Sequence, residues 1–380
     1  MSKIHYLLIA TLLVARPVFS DTQSPSETES KALTKRPQEP ALPYLYDEHE
    51  VSFTNTADGV TLSGTLTLPR SQGPFPTVIL LHGSAPLDRN HPICGHKTFL
   101  VLADYLTRQD IAVLRYDKRG AGRSAGNYDT STIQDFAGDA IAGVEYLKTR
   151  KEIDSSKIGL IGCSEGGMTA PLAASKSKDI AFIVLMAGPG VNGEDLMDVQ
   201  LPLLQRADGV DEETIAESRK LLKQMFATMK EHGDRELAAK RLREVLTKKL
   251  EALPPSQRKT FEAYCGTIDD QIKMFNSVSF RYYLTYEPAH ALKQVKIPVL
   301  ALGGAHDLQV CSRQNLPIIE KVLSEAGHKD YTIMELPKLN HLLQTCQTGS
   351  VKEFAAIEET IAPSALHIMS SWILERTAKK

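Results

Sequence analysis

"KIGLIGCSEGGMTA", residues 157–170, is an apolar run that stops at a serine set between glycines and then continues with helix-compatible residues. Within it, Gly162-Cys163-Ser164-Glu165-Gly166 has the G-x-S-x-G form. Glycine and serine are common in ordinary turns, so the pentapeptide alone does not separate a nucleophile from a turn residue. Its surroundings do more. A buried strand before it and a helix after it are what a strand-to-helix elbow requires. Small residues let the chain turn tightly and leave the serine hydroxyl facing outward. The start of the following helix supplies a positive dipole and free N–H groups beneath it.

Working outward, the same alternation recurs. "TVILLHG" (77–83), "IAVLRYD" (111–117) and "IAFIVLMAG" (180–188) are continuous apolar runs, the pattern of strands covered on both faces. Helical patterns separate them, at "TFLVLADYLTRQ" (98–109) and "IQDFAGDAIAGVEYLKTR" (133–150). Strand–helix alternation of this kind predicts an α/β fold with a mostly parallel central sheet and helices on both faces. Before it, "HEVSFTN" and "TLSGTLTLP" alternate polar and apolar residues around the Asp-Gly of "TADGV", which predicts an N-terminal antiparallel hairpin.

The alternation stops over 191–292, where charged segments of helical period predict an inserted helical cap. It resumes with "IPVLALGG" (297–304), a helix near 313–326, "YTIMELP" (331–337) and one last helix over 351–376. The expected α/β core is therefore 44–190 together with 293–380. Residues 21–43 are polar and proline-bearing, without periodicity, and read as a flexible leader.

A length of 380 residues and a formal charge of −2 are those of an ordinary globular chain. There is no basic stripe, so nucleic acid is not an expected partner. Residues 1–20 combine Lys3, an apolar stretch and small residues Val18 and Ser20, the layout of an export signal cleaved near Ser20 and Asp21. The stretch is too short for a stable membrane anchor. The expected location is periplasmic or secreted. Of the five cysteines, Cys163 is expected as a packed thiol; Cys94, Cys265, Cys311 and Cys346 allow three complete pairings, with Cys311–Cys346 conceivable. No spacing resembles a metal site. The sequence leaves the oligomeric state open.

A serine hydroxyl is a weak nucleophile and needs a base, itself oriented by a third group. "VLALGGAHDLQV" places Asp307 just after a late strand, and "LPKLNHLLQ" places His341 just after the next. The order Ser164, Asp307, His341 is the one such a fold requires. His306 competes as the base, but neighbours at a strand end point to opposite sides. An oxyanion hole needs two backbone donors. The expected ones are the N–H of Glu165 and that of Ser84, in "HGSAPLDRN" after the 77–83 strand. His82 is expected to brace that loop, and Asp88 and Arg89 either anchor it or line a substrate site. "YDKRGAGRSAG" (116–126) lacks phosphate-loop spacing, so its basic residues are expected to tie loops together.

Taken together, "LLHGSAPLDRN", "VLRYDKRGAGRS", "IGCSEGG", "GGAHDLQV" and "LNHLLQ" resemble the α/β-hydrolase superfamily, and most its exported bacterial esterase branch, related to dienelactone-hydrolase-like and acyl-thioester-hydrolase-like sequences. The resemblance covers about residues 44–376. It implies Ser164 as nucleophile, Asp307 as acid, His341 as base, and Ser84 and Glu165 as oxyanion donors. One departure stands out: relatives often carry glycine where this chain has Ala85, and a positive φ there would strain an alanine.

The expected activity is carboxylic ester hydrolysis on a small-molecule substrate through an acyl-enzyme, without a cofactor. A peptidase or acyltransferase with the same triad is the alternative. A non-catalytic binding protein on this fold is the remaining class.

Overall fold

The computed structural model describes residues 35–252, 255, 258 and 266–378. The expected export signal, most of the leader and Cys265 lie outside the described residues.

An eight-stranded sheet forms the larger of two compact units, in the order β1-β2-β6-β3-β7-β8-β9-β10. The hairpin is β1 (Asp47–Asn55) and β2 (Val60–Leu68), paired antiparallel from Asp47↔Leu68 to Asn55↔Val60. Only alternate residues of β1 are buried, because one of its faces meets solvent. The inner strands are β3 (Phe75–Leu81), β6 (Ala112–Tyr116), β7 (Ile153–Cys163), β8 (Phe182–Met186) and β9 (Val299–Gly304), all parallel. Strand β10 (Tyr331–Leu336) closes the far edge, also parallel. A two-stranded hairpin, β4 (Pro92–Ile93) and β5 (His96–Lys97), sits outside this sheet and was not legible in the sequence; Cys94 and Gly95 at its turn both have positive φ.

Side chains two apart on the strands share one face. Val78 and Leu80, Ile161 and Cys163, Phe182, Val184 and Met186, and Leu300 and Leu302 form one core with α1 (Thr98–Thr107) and α12 (Pro363–Thr377). On the opposite face lie α2 (Ile133–Lys148) and α3 (Gly166–Lys176). There α2 comes so close that a Cβ at Gly143 would touch Ile79 and Leu114. The chain leaves β3 in one direction to reach β6 and then crosses back to β7. The crevice at the carboxyl ends of β3 and β7 is thus a topological switch point, where open α/β sheets place ligands.

A second compact unit spans Asn192–Tyr286. It holds α4 (Gly193–Ala207), α5 (Glu212–Glu231), α6 (Arg235–Glu251), α7 (Ile268–Phe275) and α8 (Val278–Thr285). Each helix starts where a side-chain oxygen can take the N–H three residues on: Asn192, Asp211, Asp234, Thr267 and Ser277. Leu201, Leu222, Phe226, Leu246 and Phe275 form its own core. The following short helix α9 (Pro288–Leu292) belongs to the larger unit, where it packs on α3 and α10 (Ser312–Glu325).

Two local expectations need correction. The last helix is interrupted: α11 (Val351–Phe354) is a single turn, and α12 begins only at Pro363. Proline removes the N–H a continuous helix would use and keeps the residue before it extended, as Ala362 is at ψ 131. The stretch read as leader is held to the fold at its end. Arg36 donates to the carbonyls of Ile357 (2.8 Å) and Ala355 (2.9 Å), and Gln38 donates to that of Ile361 (2.7 Å). These are contacts over three hundred residues, invisible to local composition. Among the described residues no helix is long and apolar enough to cross a membrane.

Candidate active site

Ser164 sits at the carboxyl end of β7 with φ 52, the left-handed conformation of an elbow. Its N–H donates to Met186 O at 3.0 Å, and its own carbonyl accepts from Gly167 N at 2.7 Å. Gly162 makes this turn possible, because a Cβ there would overlap the Gly166 carbonyl. Ser164 is half-buried, while Cys163 and Glu165 on either side are buried. Burial pushes the Cys163 thiol up to about 12, with nearby Asp307 adding to the effect, so Cys163 is a packed neutral thiol as expected.

Asp307 follows β9 and His341 follows β10, both almost fully buried. Asp307 Oδ1 accepts from the N–H groups of Gln309 and Val310, each at 2.8 Å, so the loop itself holds the carboxylate. Its other oxygen takes His341 Nδ1 at 2.8 Å. A carboxylate can only accept, so Nδ1 carries the proton and Nε2 is left with its lone pair. His306 turns away to Cys346 Sγ, 3.7 Å from its Nδ1. No hydrogen bond joins Ser164 Oγ to His341 among the described residues. Proximity runs through the β3 loop. A Cβ on Gly83 would lie 3.3 Å from the Ser164 Cβ and 3.6 Å from His91 Nε2, and His341 acts electrostatically on His91.

That loop is braced from several sides. His82 Nε2 donates to Asp88 O at 2.9 Å, the expected brace. His91 Nε2 accepts from Gly83 N at 3.4 Å while its ring stacks on Phe99 at 4.4 Å. Burial holds both imidazoles neutral: His82 falls to about 3, with Lys118 adding to the effect, and His91 falls well below its ordinary value. Arg89 anchors the loop. Its guanidinium donates to both Asp117 oxygens (3.0 and 2.9 Å), both Glu50 oxygens (2.9 Å), Thr65 Oγ1 and Ser63 Oγ. A polar cavity of about 450 Å³ opens over this network, lined by Glu48, Asp88, Arg115 and Arg123 among others, and by none of Ser164, Asp307 or His341.

Ala85 has φ 110, so the strain foreseen for an alanine at this position is present. Its N–H is taken by Tyr128 Oη at 2.9 Å. The N–H groups of Ser84 and Glu165 have no acceptor among the described residues. Glu165 is buried, where an unpaired backbone donor is rare, and Ser84 is half-buried in the β3 loop, next to the Gly83 that approaches Ser164.

Lys118 is among the basic residues expected to tie loops together, but its particular partners were not foreseen. Buried at the end of β6, its ammonium donates to Gly83 O (2.8 Å) and to Glu165 Oε2 (2.5 Å), and lies 4.1 Å from the Phe136 ring centre. The only signal was its place in the loop after β6, "YDKRGAGRSAG". Arg119 of the same loop pairs with Asp139 (2.5 Å) and Asp58 (2.7 Å), so these basic residues do tie loops together. The disulfide conceived between Cys311 and Cys346 is not formed: both are free thiols, as is Cys163. Among the described residues no group of His, Cys, Asp and Glu could hold a metal ion.

With this geometry in hand, comparison with known proteins gives a consistent picture. Residues 90–251 match the hydrolase family described as serine aminopeptidase, S33. Esterase EstD of Thermotoga maritima is 28% identical over 79% of this chain, which spans 61% of that protein's length. Mouse acyl-coenzyme A thioesterase 1 is 28% identical over 46% of the chain and 39% of its own length. Among solved structures, the Pyrococcus furiosus esterase Pf2001 superposes with a TM-score of 0.52 at 18% identity, covering 87% of this chain and 91% of that one. The α/β hydrolase GrgF from Penicillium gives 0.54 at 19%, covering 88% and 100%. At these identities the structural matches establish the fold.

Proposed function

From an α/β-hydrolase fold related in sequence to S33 hydrolases and esterases, we propose that the chain is a serine hydrolase that cleaves carboxylic esters through an acyl-enzyme on Ser164. The observation that carries this reading is the Asp307–His341 pair, with Nδ1 bound to the carboxylate and Nε2 free to act as base. In this reading His341 Nε2 takes the Ser164 proton as Oγ attacks the ester carbonyl, and the oxyanion forms against the N–H groups of Ser84 and Glu165. His341 then protonates the leaving alcohol. Water, deprotonated by the same imidazole, releases the acid. These are nucleophilic and acid–base steps carried by Ser164 and His341 with two backbone donors, and none calls on a cofactor.

The S33 match brings in aminoacyl substrates and the thioesterase match brings in thioesters. A panel of p-nitrophenyl esters of increasing chain length, run beside aminoacyl p-nitroanilides and an acyl thioester, tests the ester reading. Turnover of short esters with kcat/KM well above that of the anilides supports it, and the reverse order makes the protein a peptidase. We also propose export. N-terminal sequencing of the expressed protein should find a mature start near Asp21, and an intact Met1 in the mature protein would refute it.

A further inference from the structure

Lys118 is a buried cation that the mechanism above does not use. Its ammonium has three N–H groups. One donates to Gly83 O at 2.8 Å and one to Glu165 Oε2 at 2.5 Å, while the Phe136 and Tyr128 ring centres lie 4.1 and 4.8 Å away. Burial pulls the amine below its usual range, and the Glu165 carboxylate works against that.

The two groups that Lys118 grips are placed in a particular way. Gly83 C=O and Ser84 N–H are the two ends of one trans peptide, so they point in opposite directions. An ammonium on the oxygen fixes the plane of that peptide and draws electron density toward the carbonyl, which makes the N–H a stronger donor. The other grip is on the side chain of Glu165, whose own N–H is the second expected donor. One cation therefore joins the loop after β3 to the helix start after β7, gripping the carbonyl end of the peptide whose N–H is that of Ser84 and the side chain of the residue that carries the other N–H. A buried ion pair is weak evidence for a purely stabilising role, since apolar replacements of similar volume are often neutral or stabilising.

Building on the ester-hydrolase reading, we propose that Lys118 is the positioning residue of the oxyanion hole, acting through the Gly83–Ser84 peptide and the Glu165 side chain. It does not touch the substrate. It sets the direction of the Ser84 N–H and strengthens it as the tetrahedral anion forms.

The test compares wild type, Glu165→Gln and the double variant Lys118→Met/Glu165→Gln, which leaves no buried charge unpaired. Each is assayed on p-nitrophenyl acetate and titrated with an aryl trifluoromethyl ketone. That ketone adds to the serine hydroxyl: an O–C bond forms, the carbonyl becomes an alkoxide in the oxyanion hole, and the serine proton goes to His341. Relative to Glu165→Gln, the double variant should lose about 10–100-fold in kcat, with a parallel loss of ketone affinity. KM should stay within about threefold, since the donor acts in the transition state. A second variant, Lys118→Gln/Glu165→Gln, keeps a neutral donor for Gly83 O and should fall between the two; either variant decides if the other does not fold. A double variant with kcat and ketone affinity within about threefold of Glu165→Gln overturns the proposal. So does a loss of kcat at unchanged ketone affinity. Wild type that turns over no ester removes the ester-hydrolase reading and this one with it, whereas an active wild type with an unaffected double variant overturns this proposal alone.

Discussion

Asp307 holds His341 through one carboxylate oxygen and its own loop through the other. Oδ2 takes His341 Nδ1 at 2.8 Å, while Oδ1 takes the N–H groups of Gln309 and Val310 at the same distance. A single side chain thus fixes both the position of the imidazole and the tautomer it adopts. The two tasks can be separated by mutation.

Asp307→Asn keeps an oxygen for the loop but replaces the acceptor facing Nδ1, so the imidazole loses its reason to keep the proton there. We expect kcat to fall by about 10⁴ with the protein still folded, as expected when a triad base is left in the wrong tautomer. Asp307→Ala should add a loss of stability, because two loop N–H groups lose their acceptor. Steady-state assays and urea titrations of both variants separate the effects; an asparagine variant with near wild-type kcat would remove Asp307 from the mechanism.

Arg89 and Asp117 form a bidentate pair beneath the β3 loop, with Arg89 8% and Asp117 3% exposed. Burial alone would raise the Asp117 carboxyl, but bonds from the Arg89 side chain and from the N–H groups of Arg123 and Arg89 carry it below its ordinary value. Arg89→Met leaves that carboxylate buried without its partner, which costs about 3–5 kcal/mol. Urea unfolding should show a lower midpoint, with the unfolding free energy reduced by that amount. An unchanged midpoint would mean that solvent already reaches the pair.

Ala85 at φ 110 stores backbone strain that glycine does not have. The strain is worth about 1–3 kcal/mol, and the extra entropy of an unfolded glycine takes back about 0.5–1 kcal/mol. Ala85→Gly should therefore stabilise the fold by about 1 kcal/mol, the opposite sign from most substitutions of alanine by glycine. Its N–H bond to Tyr128 Oη is a main-chain contact and is retained. A lower unfolding midpoint would contradict the strain.

His82 and His91 are buried neutral, with His82 lowered to about 3 and His91 well below its ordinary value, in both cases chiefly by burial. Unfolded, each takes up a proton near pH 6.5. Stability is then fully present above pH 6.5 and is lost as pH falls from there toward 3, because only the unfolded chain binds the protons. Between pH 7.5 and pH 5 the loss should be about 2 kcal/mol per histidine. Urea titrations at the two values measure it, and a flat profile would mean that the imidazoles are not sequestered.

The parts of the fold legible in the sequence were those written into local pattern. Strands such as Phe182–Met186 are buried on both faces and so appear as unbroken apolar runs, and Asp58-Gly59 marks the hairpin turn, with Gly59 at φ 69. The order of Ser164, Asp307 and His341 was legible because each follows a recognisable strand. What escaped depends on distant partners. Nothing near Lys118 announces Glu165, forty-seven positions on, and nothing near Arg36 announces Ala355 or Ile357. The break before Pro363 was legible in principle, but helical period on either side concealed it.

The central claim is that Ser164 is a nucleophile activated by His341. The most direct measurement is intact-mass and peptide analysis after exposure of the folded protein to a fluorophosphonate, beside Ser164→Ala. One adduct is expected, on the peptide containing Ser164, formed in wild type and absent from the alanine variant along with esterase activity. A folded wild-type protein that takes no label at Ser164, or an alanine variant that hydrolyses esters at the wild-type rate, would contradict it.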